Sequence, residues 1–194
     1  MSDKIAHLLD RLRELEKDID REVEEQRLAT GATLKAGASR FSEEMRAQHR
    51  TLKIGLVAYI RGSSLPLLLT VPLTYAIVAP LLLLDLLATL HQQICFRVYG
   101  IARVRRSDYI ALDRHRLGYL NGIEKLNCLY CGYANGVIAY AREIASRTEQ
   151  YWCPIKHART LRSPHRRYSR FLAYGDAQGY RDNLADLRRT IDRL

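Results

Sequence analysis

The chain predicts an all-α protein with a membrane segment, and three observations carry that prediction. Residues 62–96 are almost free of charge, apolar residues recur at helical spacing on either side, and two cysteine motifs lie in a strongly basic second half. With 194 residues the chain can fold one ordinary domain plus accessory segments. The expected order is an amphipathic, coiled-coil-like helix over 1–30 and an interfacial amphipathic helix over 38–61. A membrane hairpin or single span over 62–96 and a small basic helical domain with a Cys/His site over 97–194 follow.

Charge divides the same way. Residues 1–52 carry ten basic and eleven acidic side chains, 53–96 two and one, and 97–194 nineteen and nine, so the net +10 follows the apolar segment. An acidic partner is expected to meet that half. Met1–Asp20 is charged throughout, which is unlike a cleavable signal peptide. Four cysteines, two in a Cys-x-x-Cys, fit a reduced compartment better than a disulfide framework.

In the first region Ile5, Leu8, Leu12, Leu15 and Ile19 alternate spacings of three and four, with Leu9 and Val23 widening the stripe. That is a short heptad pattern, and it predicts a protein partner or homo-oligomer through residues 1–28; packing on the chain's own C-terminal domain is the alternative. Gly31 and Gly37 break the pattern. A second helix is predicted from Ser39 or Ser42, with Phe41, Met45, Leu52 and Leu56 on one face and Glu43, Arg46, Gln48 and Arg50 on the other.

Between Gly62 and Leu84 no residue is charged, and Asp85 is the only charge before Arg97. About 20 helical residues cross a bilayer core of about 30 Å, whereas 35 residues would reach about 52 Å. Pro66, Pro72 and Pro80 offer places to bend. A single tilted helix from Ser64 to Leu90 is one topology. A hairpin over 54–96 turning between Pro72 and Pro80 is the other, and the equally basic flanks (Arg46, Arg50, Lys53, Arg61; Arg97, Arg103, Arg105, Arg106) favour it. A hairpin buried in a soluble core is a third. Asp85 is expected either to pair with Arg61, to sit near an interface, or to form a buried ion or proton site.

After Arg103, Arg105 and Arg106 the spacing of Tyr109, Leu112, His115 or Arg116, and Tyr119 or Leu120 predicts a helix leading into Asn127-Cys-Leu-Tyr-Cys-Gly132. A Cys-x-x-Cys on a turn can hold one cation by two thiolates, and Cys153-Pro-Ile-Lys-His157 can add a thiolate and an imidazole. Cys128, Cys131, Cys153 and His157 thus make a candidate Cys3His site for zinc, with iron as the alternative. Val137–Gln150 reads as an amphipathic helix about 21 Å long, so the pairs converge only if Gly132–Gly136 loops back along it. Otherwise they are separate, with Asp113 or His115 available to complete one. The cysteines could instead form a dithiol redox pair or be merely buried. Cys128, placed at a helix end, suits a redox role poorly, while Cys153 before Pro154 at a helix start is better placed for a stabilised thiolate. Cys95 reads as a small buried side chain.

From Ile155 to Arg170 stand Lys156, Arg159, Arg162, Arg166, Arg167 and Arg170, with His157 and His165 and no acid. Beside a membrane segment the nearest phosphate is an anionic lipid headgroup, and these six residues are the expected phosphate and lipid contacts. Nucleic acid, a solvated face, or internal pairing with the acidic N-terminal helix are the alternatives. Leu184, Leu187, Ile191 and Leu194 predict a final helix seeking a partner, with the N-terminal helix as the candidate.

No Gly-x-Gly-x-x-Gly, phosphate loop, Gly-x-Ser-x-Gly or His-Glu-x-x-His is present, so an enzyme is not the default reading. The strings NCLYCGYANG and EQYWCPIKHA resemble a family of proteobacterial membrane-associated proteins in which the same two segments follow an apolar stretch. The likeness covers residues 100–160. It implies a bacterial origin and a structured C-terminal domain, and brings no activity with it. The expectation is a scaffold or assembly protein at the bacterial inner membrane with a cytoplasmic C-terminal domain. A membrane-bound redox or electron-transfer accessory protein is the alternative.

Overall fold

The structure, a computed structural model, describes residues 3–29, 32–35 and 38–192. Among the described residues helices dominate, joined by stretches of irregular chain and one short hairpin that the spacing did not predict. It divides into two compact units, Met1–Ser64 with Asp113–Cys128, and Leu65–Leu112 with Leu129–Leu194.

The first unit opens with α1 (Asp3–Ala29). An antiparallel hairpin follows, β1 (Ala32–Lys35) against β2 (Ala38–Phe41), with Ala32 opposite Phe41 and Lys35 opposite Ala38. Gly31 and Gly37, read as breakers, lie outside the described residues. The region read as one helix over 38–61 is therefore a strand, α2 (Glu43–Thr51) and α3 (Leu56–Gly62). Ser42 starts α2 as expected, its hydroxyl accepting from the Met45 N–H at 3.2 Å while Glu43 and Glu44 complement the helix dipole. The residue α2 buries is His49, whose ring meets Tyr119 edge-on at 5.0 Å and lies over Gly118. The stretch before residue 122 is not the predicted helix. It contains two single turns, Arg106–Asp108 and Arg114–Arg116, in otherwise extended chain.

The second unit is built on two long helices. Leu65–Tyr99 is one continuous 35-residue helix, α4, and it passes straight through the prolines, which overturns the hairpin. Pro72 sits inside it without turning the chain. Pro80 has no N–H for the carbonyl four residues back, and the only irregularity nearby is at Ile77, after which Leu81 N–H bonds Ile77 C=O at 3.2 Å. The hydroxyls of Thr70 and Thr74 donate to the carbonyls of Leu67 (2.7 Å) and Thr70 (3.0 Å), so neither polar group is left unmet on an apolar surface. Near its C-terminal end α4 relaxes into a π turn, Gln92–Phe96, and ends at Gly100 in the left-handed region (φ 69°).

The partner of α4 is α5 (Gly122–Trp152), one uninterrupted helix of 31 residues whose first turns belong to the first unit. Asn121 caps it, accepting from the Ile123 and Glu124 N–H groups at 3.0 Å each while Glu124 returns to the Asn121 N–H at 2.8 Å. Gly132–Gly136, read as a reversing loop, is helical. Both glycines are buried, and a Cβ on Gly136 would lie 2.8 Å from the Tyr109 carbonyl oxygen and 2.9 Å from Ile110 Cα. Gly136 is a place of close approach and not a hinge.

Phe96, Ile101, Val104, Tyr140, Ile144 and Ile191 form the core. Gln92 pins the returning chain to α4, accepting from Val104 N–H at 2.9 Å and donating to its carbonyl at 3.3 Å. Tyr99 stacks on Tyr151 at 4.6 Å beside Trp152. The last helix, α6 (Ala177–Arg189), packs here. Ile191 enters the core, Gln150 donates to Leu187 C=O at 2.7 Å, and Arg188 lies 4.6 Å over the Tyr151 ring. Leu194, the end of the predicted stripe, lies outside the described residues.

Candidate functional site

The four expected metal ligands do not converge. Cys128 and Cys131 lie one turn apart inside α5, and Cys153 directly follows its last residue, still bonded to Glu149 C=O at 2.8 Å. Twenty-two residues at 1.5 Å each hold Cys131 and Cys153 about 33 Å apart. Thiolate bonds to one zinc are about 2.3 Å. The Cys3His site is therefore corrected: the helix predicted over 137–150 exists, but it extends back through both cysteines and the glycines and acts as a spacer. Among the described residues no three His, Cys, Asp or Glu side chains are grouped to hold a metal ion.

The local environments fit that correction. Cys128 is well inside the helix and not at its end. Cys153 closes α5 and does not start a helix; burial and then the Glu149 carboxylate push its thiol above the ordinary range, opposite to a stabilised thiolate. His157 is exposed, its backbone N–H donating to the Tyr168 hydroxyl at 2.6 Å and its ring stacked at 6.1 Å on Tyr168.

In the basic segment, Arg159, Arg162 and Arg166 are exposed, Lys156 and Arg170 half-buried. Arg167 is not a surface contact, since only 2 % of it is exposed. Its guanidinium donates to Gln150 Oε1 at 3.2 Å, to the Ile191 carbonyl and to Glu143 Oε1 at 2.8 Å. Arg147 binds the same Glu143 oxygen at 2.8 Å and reaches Ala102 C=O at 2.6 Å. One carboxylate thus holds α5, the Arg166–Arg170 turn and the chain after α4 together. The segment also runs back along α5, through Arg142 to Ser163 C=O (2.7 Å) and His165 to Glu149 (2.9 Å).

Burial raises the proton affinity of Glu143, but the hydrogen bonds and charges of Arg147 and Arg167 outweigh it, and the carboxyl lies below the ordinary glutamate range. A pKa lowered by folding contributes stability above the unfolded-state value and loses it as pH falls through the folded-state value. The second unit is expected to loosen on acidification below the ordinary glutamate range, and Glu143→Gln should flatten that part of the profile. Trp152 fluorescence followed against pH in both proteins checks this.

Asp85 finds Arg106 and not Arg61. Arg106 donates through Nε at 3.2 Å to each carboxylate oxygen and through Nη2 at 2.7 Å, and the Tyr133 hydroxyl adds a bond at 3.0 Å. Arg106 is about half exposed and the Asp85 side chain only 13 %. A carboxylate met by a bidentate guanidinium and a phenol is a structural anchor, so its lone charge needs no ion to explain it.

These features define a class of protein: a helical chain with, among the described residues, one helix, Leu65–Tyr99, long and apolar enough to cross a membrane. No protein family, curated protein or solved structure matches the chain.

Proposed function

We propose that this protein is a membrane-anchored scaffold or assembly protein, held in the bacterial inner membrane by the apolar part of α4, with its basic C-terminal domain on the cytoplasmic face. The observation that carries this is the exposed, charge-free first part of α4. Leu65, Leu67, Leu69 and Leu73 are 57–73 % exposed, a surface that water does not tolerate over such a length. From Leu65 to Leu84 there are 20 uncharged residues, about 30 Å of helix, with Arg61 before them and the Asp85–Arg106 pair after. An ion pair whose arginine is half exposed is stable at a headgroup boundary and costly in a hydrocarbon core, so it supports Leu84 as the end of the charge-free span.

The basic segment fits anionic lipid, through Arg159 and Arg162 above all, with Lys156, Arg166 and Arg170 beside them. Detergent-purified protein is expected to gain thermal stability on adding phosphatidylglycerol and little on adding phosphatidylcholine. Arg159→Gln with Arg162→Gln should weaken the anionic effect about thirtyfold in lipid concentration, from about 1 kcal/mol per arginine. Equal stabilisation by both lipids, or an unchanged response in the double variant, would remove lipid contact from the reading.

A further inference from the structure

α1 is a 27-residue helix, about 40 Å long, on which every described side chain is exposed apart from half-exposed Glu16. Leu8, Leu12, Leu15, Ile19 and Val23 are 52–62 % exposed. A single helix with so exposed an apolar stripe is marginal in water even with good propensity, so this stripe needs a cover.

The stripe itself says what covers it. Leu8 and Leu15 occupy d positions and Leu12 and Ile19 a positions, and the sequence puts Ile5 at the a position before them. Leucine at d with isoleucine at two of three a positions favours two parallel strands. Arg11 falls at g and Glu16 at the following e, so two parallel copies in register set opposite charges against each other at both edges. An antiparallel pair that sets Leu12 against Leu15 and Leu8 against Ile19 places Glu22 opposite Ile5, so it keeps fewer apolar layers than the parallel pair. We infer that α1 pairs with α1 of a second copy of this chain as a parallel, in-register, two-stranded coiled coil, Arg11 of each copy facing Glu16 of the other. This deepens the scaffold reading by naming its partner, and anchoring both copies in one bilayer raises the effective concentration that so short a zipper needs.

The full-length protein, co-expressed with two different tags and purified in detergent, tests this without any dependence on lipid contact. Benzoylphenylalanine in place of Leu12 should crosslink the two tagged copies at least tenfold more than in place of Lys17, on the opposite face. In place of Leu8 it should capture a partner peptide containing residues 4–12. Arg11→Glu should lower the crosslinked fraction about tenfold, and Arg11→Glu with Glu16→Arg should restore it. Equal crosslinking at Leu12 and Lys17, capture of another protein, a captured peptide from residues 15–23, or no rescue would each overturn the inference. The membrane reading would stand in every one of those cases.

Discussion

Arg167→Ala is expected to destabilise the second unit by about 3–5 kcal/mol, the usual cost of removing one partner from a buried ionic network. The alanine would leave Gln150 Oε1 and the Ile191 carbonyl without their donor and Glu143 with one guanidinium in place of two. The loss should appear as a large drop in the thermal unfolding midpoint of purified protein. Arg162→Ala, five residues earlier on an exposed turn, should stay within about 0.5 kcal/mol. Matching shifts for the two variants would mean that Arg167 is a surface residue like its neighbours.

Gly136→Ala is the second large effect, and its sign is diagnostic. In a helix interior, alanine for glycine ordinarily gains up to about 1 kcal/mol. At Gly136 the new methyl would meet the backbone of Tyr109 and Ile110 below 3 Å, and neither is the movable end of a side chain. Overpacking of this kind costs about 1–3 kcal/mol, so a net loss is expected. Gly122→Ala, in the first turn of the same helix with nothing within 4 Å, should be neutral or stabilising. Thermal midpoints of the two variants check the pair; two gains would place Gly136 in a loop after all.

Gly136 looks the same in sequence whether it breaks a helix or lets another segment approach it, and only the packing of Tyr109 and Ile110 distinguishes the two. Reading a break there made a Cys3His site conceivable, and the continuous helix removes it. Arg167 was hidden for a similar reason, since one arginine among five other basic residues gives no sign that it alone faces Glu143. The apolar helix, the start of α2 at Ser42 and the final helix were legible because each rests on local pattern or capping. The passage through Pro72 and Pro80 was not, because a missing N–H bends a helix or merely loosens it depending on the neighbouring bonds. Asp85 was legible as a charge needing a partner, but its pairing with Arg106 required the extended return of the chain after Gly100.

The central claim is that the apolar stretch Leu65–Leu84 anchors the chain in the membrane, and alkaline extraction of inner-membrane vesicles tests it most directly. The protein should stay with the vesicles after extraction, whereas its release into the soluble fraction would contradict the membrane reading.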